Sequence, residues 1–371
     1  MKKILILMGR YLPGHKDGGP LRTIINLTDA LGDEYKFYIA CYDRDHGDTK
    51  PYPNIRYGKW ERVGKTKVTY IRQKGFTFNI IKKLVKDKDS IYLTSFYDEY
   101  GYKTLLLKRL GIIKQPVALA SMGVFSKGAL AQKALKKKVF ISLCKLMGLF
   151  KNITWSVTSE FEANDVKREI SDTAKYIIAE DLPRTNVPGY KKKNGVFSVA
   201  FLSRISPKKN LMYAISVLNE VNSSIQFNIY GPDEDKPYWE KCKMALNQLP
   251  DNIQWKYHGD VESSRVQEKF AENDVFLFPT LGENYGHVIF EALSVGCIPI
   301  ISDQTPWESI EKYNAGYIIP LDKKERFSKL IDRISALPHS ERIEKAEMCV
   351  QLAQKSVEKN RKETGYRLIF D

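Results

Sequence analysis

The 371-residue chain is poor in the residue types that build metal centres and disulfide frameworks, with five cysteines and five histidines. The cysteines, Cys41, Cys144, Cys242, Cys297 and Cys349, are scattered, odd in number and without metal-ligand spacing. That pattern excludes a disulfide-stapled scaffold and a zinc module, and fits a reducing compartment with buried thiols. No uninterrupted apolar run approaches the ~18 residues of a membrane-spanning helix. The opening run MKKILILMG is too short for a signal-peptide core and meets no cleavage site, so a first strand is expected there. Neither G-x-G-x-x-G nor G-x-x-x-x-G-K-[ST] occurs, which argues against the common dinucleotide and P-loop sites.

Acidic residues are missing from one long stretch. Tyr100 to Ser159 holds eleven Lys/Arg and no Asp or Glu. The formal charge of +15 lies entirely in the first half: residues 1–190 carry 34 Lys/Arg against 19 Asp/Glu, and residues 191–371 carry 25 of each. An anionic membrane surface or a phosphorylated acceptor suits such a balance. Nucleic acid is disfavoured, because no nucleic-acid-binding motif accompanies the charge.

What is present reads as two α/β domains, the default for this length. Ile4 to Met8 is a buried strand, followed by the loop GRYLPGHKDGGP and an amphipathic helix over Leu21 to Leu31. Strands at Tyr35 to Cys41, Ile91 to Phe96, Val117 to Ser121 and Ile153 to Ser159 alternate with helices near 78–85, 99–110 and 127–149, the pattern of a parallel sheet. The segment 183–195 (PRTNVPGYKKKNG) has no apolar period and reads as a linker. After it strands and helices alternate again from 196. The expected division is therefore 1–188, 196–350 and a helical tail, 351–371, able to return to the first domain. The helix 127–149 bears lysines on one side and Leu130, Val139, Phe140, Leu143, Leu146 and Met147 on another. It can pack on the core with a solvated basic face or lie on an anionic membrane, and the two are compatible if the apolar side packs on the sheet while the lysines meet lipid.

The chemistry concentrates in VFLFPTLGENYGHVIFEALSVGCIPIISD, residues 275–303, which reads as strand, turn, short helix, strand. Glu283 and Glu291 lie eight positions apart, about 12 Å along a helix. That is too far to share a proton and suits two carboxylates gripping different parts of one elongated ligand; the alternative is a solvated loop residue and a helix-surface charge. Arg204 ends an earlier strand and Lys209 starts the following helix, so both can face the carboxyl ends of the strands, where open α/β sheets bind ligands. A fork and a point charge there suit a diphosphate, or are two surface cations. Gly18 and Gly19 precede the first helix and either leave N–H groups open to a phosphate or form a plain turn. Three Asp-x-Asp matches, at 43–45, 87–89 and 233–235, read as solvated turns.

These features together resemble the GT-B fold retaining glycosyltransferases of family 4, also called group 1. The resemblance covers essentially the full length. It rests on Gly18-Gly19, on Arg204 with Lys209 in an R-x4-K arrangement, on Gly259 in HGDV and on GENYGHVIFEALSVGCIPIISD with its two glutamates. The residue before Arg204 departs from the usual glycine and is Ser203. The resemblance implies two Rossmann-like domains with parallel sheets facing a central cleft. It implies that Arg204 and Lys209 hold a donor diphosphate, that Glu283 binds the transferred sugar and that Glu291 binds the ribose. Gly259 to Val261 would lie against the base, and backbone at Gly19 and at Gly286, His287 and Val288 would face the phosphates. A nucleotide-sugar donor, a glycan or lipid-linked acceptor, no metal or other cofactor, and a cytoplasmic, peripheral-membrane location are the corresponding expectations. A non-catalytic nucleotide-binding relic and a nucleotide-sugar epimerase share the fold and are the alternatives.

Overall fold

A computed structural model describes residues 1–126, 130, 134–191 and 195–371. The chain separates into two compact units, Met1–Leu182 together with Asn360–Asp371, and Pro183–Lys359.

The first unit is built on eight strands: β1 (Lys3–Leu7), β2 (Lys36–Tyr42), β3 (Glu61–Val63), β4 (Thr66–Ile71), β5 (Ser90–Leu93), β6 (Val117–Ala120), β7 (Thr154–Val157) and β8 (Tyr176–Ile178). Their order is β3-β4-β2-β1-β5-β6-β7-β8, and every pairing except β3–β4 is parallel. Helices cover both faces, so the central strands are apolar throughout rather than alternating. In β1, Ile4 to Leu7 are all inaccessible, with Leu5 and Leu7 in one core and Ile4 and Ile6 in the other. Helix boundaries follow local chemistry. Thr77 caps Phe78–Val85 by accepting from the Ile80 N–H, and Ser159 caps Glu160–Glu169 by accepting from Glu162, filling donors a helix start leaves open. The Glu160–Glu169 helix and the three-residue β8 are additions to the sequence reading; β8 is too short to show a period.

The tail closes this unit. In the Gly365–Phe370 helix, Tyr366 and Phe370 are buried against Tyr35, Phe37 and Tyr92. Arg367 forks onto Glu34 through bonds of 2.8 and 2.7 Å. Gly365 is needed where it stands: a Cβ there would lie 1.9 Å from the Ile178 carbonyl oxygen of β8. Leu368, between Tyr366 and Phe370, stays exposed.

Beneath that tail Asp181 is buried, and burial pushes its carboxyl up to about 7; a hydrogen bond with Thr23 opposes the shift and the charge of Glu162 adds to it. The sign follows from linkage. Between about pH 4 and 7 an unfolded chain has lost this proton and the folded one still holds it, so this group's contribution to stability falls as pH rises and is flat above. The full span is on the order of 4 kcal/mol. Asp181→Asn is expected to remove this decline. Its Tm relative to wild type should rise steadily between about pH 4.5 and 7.5, and a constant difference would refute the assignment.

The second unit has six strands, all parallel: β9 (Ser198–Leu202), β10 (Ile225–Tyr230), β11 (Ile253–Tyr257), β12 (Val275–Phe278), β13 (Ile298–Ser302) and β14 (Tyr317–Ile319), in the order β11-β10-β9-β12-β13-β14. The first part of the segment read as a linker is laid down on this unit. The Gly189 N–H donates to the Ser294 carbonyl at 3.1 Å, and the Tyr190 ring lies where a Cβ on Gly296 would stand. Residues 192–194 lie outside the described residues, as do Lys127 and Lys133 of the basic helix.

Candidate active site

Topology places the site in the second unit. The chain leaves β9 for β10 on one side and later returns to β12 on the other. The loops after β9 and β12 therefore part at the carboxyl end of the sheet, where a ligand crevice forms in such folds. The β9 loop carries Ser203 to Asn210, and the β12 loop carries Pro279 to Gly286. They are stitched together by backbone. The Leu281 N–H donates to the Lys208 carbonyl at 2.9 Å, and the Asn210 side-chain amide donates to the Pro279 carbonyl at 2.9 Å. Asn210 takes a left-handed φ of 64° between the 3₁₀ turn Pro207–Lys209 and the helix Leu211–Leu218, a conformation asparagine tolerates.

This stitching brings Lys209 onto Glu283. The ammonium contacts Glu283 Oε1 directly, and the Thr280 hydroxyl donates to the same oxygen at 3.1 Å. The Glu283 N–H is tied to the Gln304 carbonyl at 3.0 Å. Both side chains are nearly enclosed, at 17% and 10% exposure. Burial lowers the Lys209 pKa, the Glu283 charge opposes that shift, and the charges of Lys208 and Arg204 add to it. Nζ also stands 5.6 Å from the centre of the Phe278 ring. A cation with this little water around it acts on an arriving anion with little screening. Arg204, at the mouth of the same loop, is exposed.

Glu291 is held differently. It lies on the seven-residue helix His287–Leu293 among buried Phe290, Ala292 and Leu293, and is itself 1% exposed. Its partner is Arg184, whose Nε stands 3.1 Å from Oε1. Arg184 also donates to the carbonyl and hydroxyl oxygens of Ser263. The two glutamates thus take separate cations. Arg184 was missed in the sequence because its surroundings look like linker. The signal that could have found it was Glu291 itself, since a carboxylate amid apolar helix neighbours needs a buried cation.

The other expected residues take these places. Gly286 is left-handed at φ 81° and begins the helix; His287 is buried with its ring 4.8 Å from that of Tyr285; Val288 is half-buried on the core. Gly259 has φ 76° and open space where a Cβ would be, and Val261 is half-buried nearby in sequence. Gly18 and Gly19 belong to the first unit, at the start of helix Gly19–Leu31. Gly18 has φ 61°, and at both positions the space where a Cβ would stand is open to 4 Å. The loop before them is pinned by Asp45, which accepts from the N–H groups of His15 and Lys16, and by the Arg10–Asp17 pair at 3.2 Å. Asp43 and Asp45 are both buried, which corrects their reading as a solvated turn: Asp45 organises the loop, while Asp43 accepts from Arg44 and Tyr57. Among the described residues, no group of three or more His, Cys, Asp or Glu is placed to hold a metal ion.

Ser203, the residue before Arg204, is not among the described residues with positive φ. The close approach that needs a glycine is just past the neighbouring strand, β10. A Cβ on Gly231 would lie 1.9 Å from the Ser203 carbonyl oxygen, and Gly231 has φ +126°. Gly231→Ala is expected to cost about 2–4 kcal/mol by combined clash and backbone strain, read as a lower denaturation midpoint. A midpoint equal to wild type would show that the β9 loop is free to move.

Residues 184–356 match the family model described as "Glycosyl transferases group 1". This segment is a group 1 glycosyltransferase domain. It spans almost the whole second unit, including Arg184, Arg204, Lys209 and both glutamates. A curated relative, an uncharacterized 41.2 kDa protein in the cps region of Klebsiella pneumoniae, is 24% identical over 306 residues, covering 78% of this chain and 81% of its own. Among solved structures, Anabaena Alr3699/HepE in complex with UDP-glucose superposes with a TM-score of 0.71 at 13% identity, covering 99% of each chain. Sucrose-phosphate synthase from Thermosynechococcus elongatus gives 0.71 at 15%, covering 100% of this chain and 96% of its own. A UDP-forming α,α-trehalose-phosphate synthase from Burkholderia xenovorans gives 0.68 at 11%, covering all of both chains. These likenesses extend the GT-B fold over the first unit as well as the group 1 domain.

Proposed function

We propose that this glycosyltransferase moves a sugar from a nucleotide-sugar donor to a glycan or lipid-linked acceptor, with retention of anomeric configuration, in the assembly of a cell-surface polysaccharide at the cytoplasmic face of the membrane. The observation that carries the proposal is the Lys209–Glu283 pair, a partly desolvated cation and carboxylate side by side at the topological switch point, with Arg204 at the mouth. In this reading the donor diphosphate meets Lys209 and Arg204, which stabilise the charge that grows on it as the glycosidic bond breaks. Glu283 accepts hydroxyls of the transferred sugar while Thr280 and the Gln304 carbonyl keep it in place. Glu291, oriented by Arg184, accepts from the ribose; Gly259 to Val261 take the base; backbone at Gly18-Gly19 and Gly286 to Val288 serves the phosphates. The acceptor hydroxyl attacks on the face the diphosphate leaves and passes its proton to the departing diphosphate oxygen, so no second carboxylate is required as nucleophile. The first unit binds the acceptor. The cps-region relative supports the polysaccharide setting, and structural neighbours solved with UDP-glucose and UDP support the donor class.

The test is incubation with UDP-, GDP- and ADP-sugars and a bacterial lipid extract, followed by NMR of the product's anomeric proton. An α-linked product from an α-linked donor is expected. A β-linked product would refute retention, and epimerised donor without transfer would refute the transferase reading.

A further inference from the structure

The helix Ala134–Leu146 has two apolar faces, and one of them is bare. Its inner face is set by Ile141 and Cys144, which are buried, with Phe140 packed against Phe96, Tyr97 and Tyr102. On the outer side Leu135 is 77% exposed, Val139 60%, Leu143 51% and Leu146 85%. At about 100° per residue, these four side chains fall within about 80° of arc, opposite Cys144. The apolar residues read from the sequence are therefore split: Phe140 packs inward, and Val139, Leu143, Leu146 and Met147 face water. A surface helix carries its apolar residues inward, and a contiguous exposed stripe marks an interaction face.

The charges around the stripe identify the partner. Lys136 borders it on one side and Lys138 and Lys145 on the other, all exposed; Lys145 also donates to the Glu169 carbonyl at 3.0 Å. At the carboxyl end the exposed Met147 leads into the Gly148 turn, where Arg109 and Lys151 lie within 3.6 Å of where a Cβ would stand. The surrounding sixty residues, Tyr100 to Ser159, contain no carboxylate side chain. A second copy of this chain would set lysines against lysines. A nucleic acid would satisfy the lysines and leave the leucines in water. A bilayer with anionic headgroups meets both: apolar side chains enter the acyl boundary while lysines on either flank stay at headgroup level. No helix of the described residues is long and apolar enough to cross a membrane, so the contact is a surface one.

We propose that the outer face of Ala134–Leu146, through Leu135, Val139, Leu143 and Leu146 with Lys136 and Lys138, is the seat of an anionic lipid bilayer. The proposal deepens the reading of a membrane-borne acceptor, but lipid binding needs no donor, acceptor or turnover, so the two fail separately.

The experiment is co-sedimentation of the full chain with vesicles of phosphatidylcholine containing phosphatidylglycerol, and with pure phosphatidylcholine, over a salt series. Wild type should bind the anionic vesicles and weaken as salt rises. Lys136→Gln with Lys138→Gln should lower that affinity by about fivefold per lysine. Leu143→Ser with Leu146→Ser should lower it by about tenfold per leucine, with unchanged Tm because both sites are exposed. Four results would overturn the proposal: no binding to anionic vesicles, equal and salt-insensitive binding to both vesicles, variants that bind like wild type, or a wild-type dimer that the leucine variant converts to monomer in light scattering. Loss of vesicle binding with sugar transfer to a soluble acceptor intact would separate the lipid face from the active site.

Discussion

Lys209→Ala lowers kcat by about 10²–10³-fold, the range for removing one preorganised stabiliser of developing negative charge. The expectation rests on where the ammonium is, not only on its charge. Thr280 and Glu283 hold one end of the site, Phe278 backs it, and the β9 and β12 loops are joined through the Lys208 carbonyl. Nothing has to reorganise when charge appears on the leaving group. Lys208, the exposed neighbour, provides the control: Lys208→Ala keeps its carbonyl bond and should retain turnover within about twofold, the scale of an exposed, screened charge. The kcat and KM values separate the roles. A loss in kcat with little change in KM places Lys209 on the transition state, and a rise in KM alone would make it a binding residue. If Lys209→Ala turned over like wild type, the cation would be structural and the proposed chemistry would be elsewhere.

Arg184→Ala should strongly destabilise the second unit, costing about 3–5 kcal/mol, because it strips the Arg184 cation from a carboxylate that is 1% exposed. The Ser263 bonds are lost with it. Thermal and denaturant unfolding measure the loss. A double-mutant cycle decides its cause. If the penalty is mainly a stranded Glu291, then Arg184→Ala combined with Glu291→Leu recovers most of the stability, and the two single changes are strongly non-additive. Additive losses would mean that Arg184 acts through Ser263 and packing alone. Glu291→Leu is also expected to lose nucleotide affinity while keeping a folded core, so stability and binding come apart in the same set of variants.

Much of this site was legible because its residues are punctuated by backbone requirements. Pro279, Gly282 and Gly286 break the β12 run, and the R-x4-K spacing starts a helix; such features show in a bare sequence. The sheets were legible because buried parallel strands are continuous apolar runs. The pairing of charges was not. Lys209 and Glu283 are 74 positions apart, and only the switch at β9 and β12 brings them together. Arg184 sits in a segment with no periodicity, so nothing local marks it as Glu291's partner. The Asp43–Asp45 pair looks like any polar turn, but the His15–Lys16 backbone folds back onto Asp45, and Arg44 and Tyr57 close on Asp43. The outer stripe of Ala134–Leu146 was hidden for the opposite reason: a helix apolar on two sides has no single stripe, so its pattern does not say which side meets the core.

The central claim is that the donor diphosphate lies against Arg204 and Lys209. Calorimetric titration of UDP, GDP and ADP onto wild type and onto the Arg204→Ala, Lys209→Ala double variant tests it without knowledge of the sugar or the acceptor. At least one nucleoside diphosphate should bind wild type, and the double variant should bind it about 100-fold more weakly or worse, two charge-assisted contacts having been removed. Equal affinity for wild type and the folded double variant would contradict the claim.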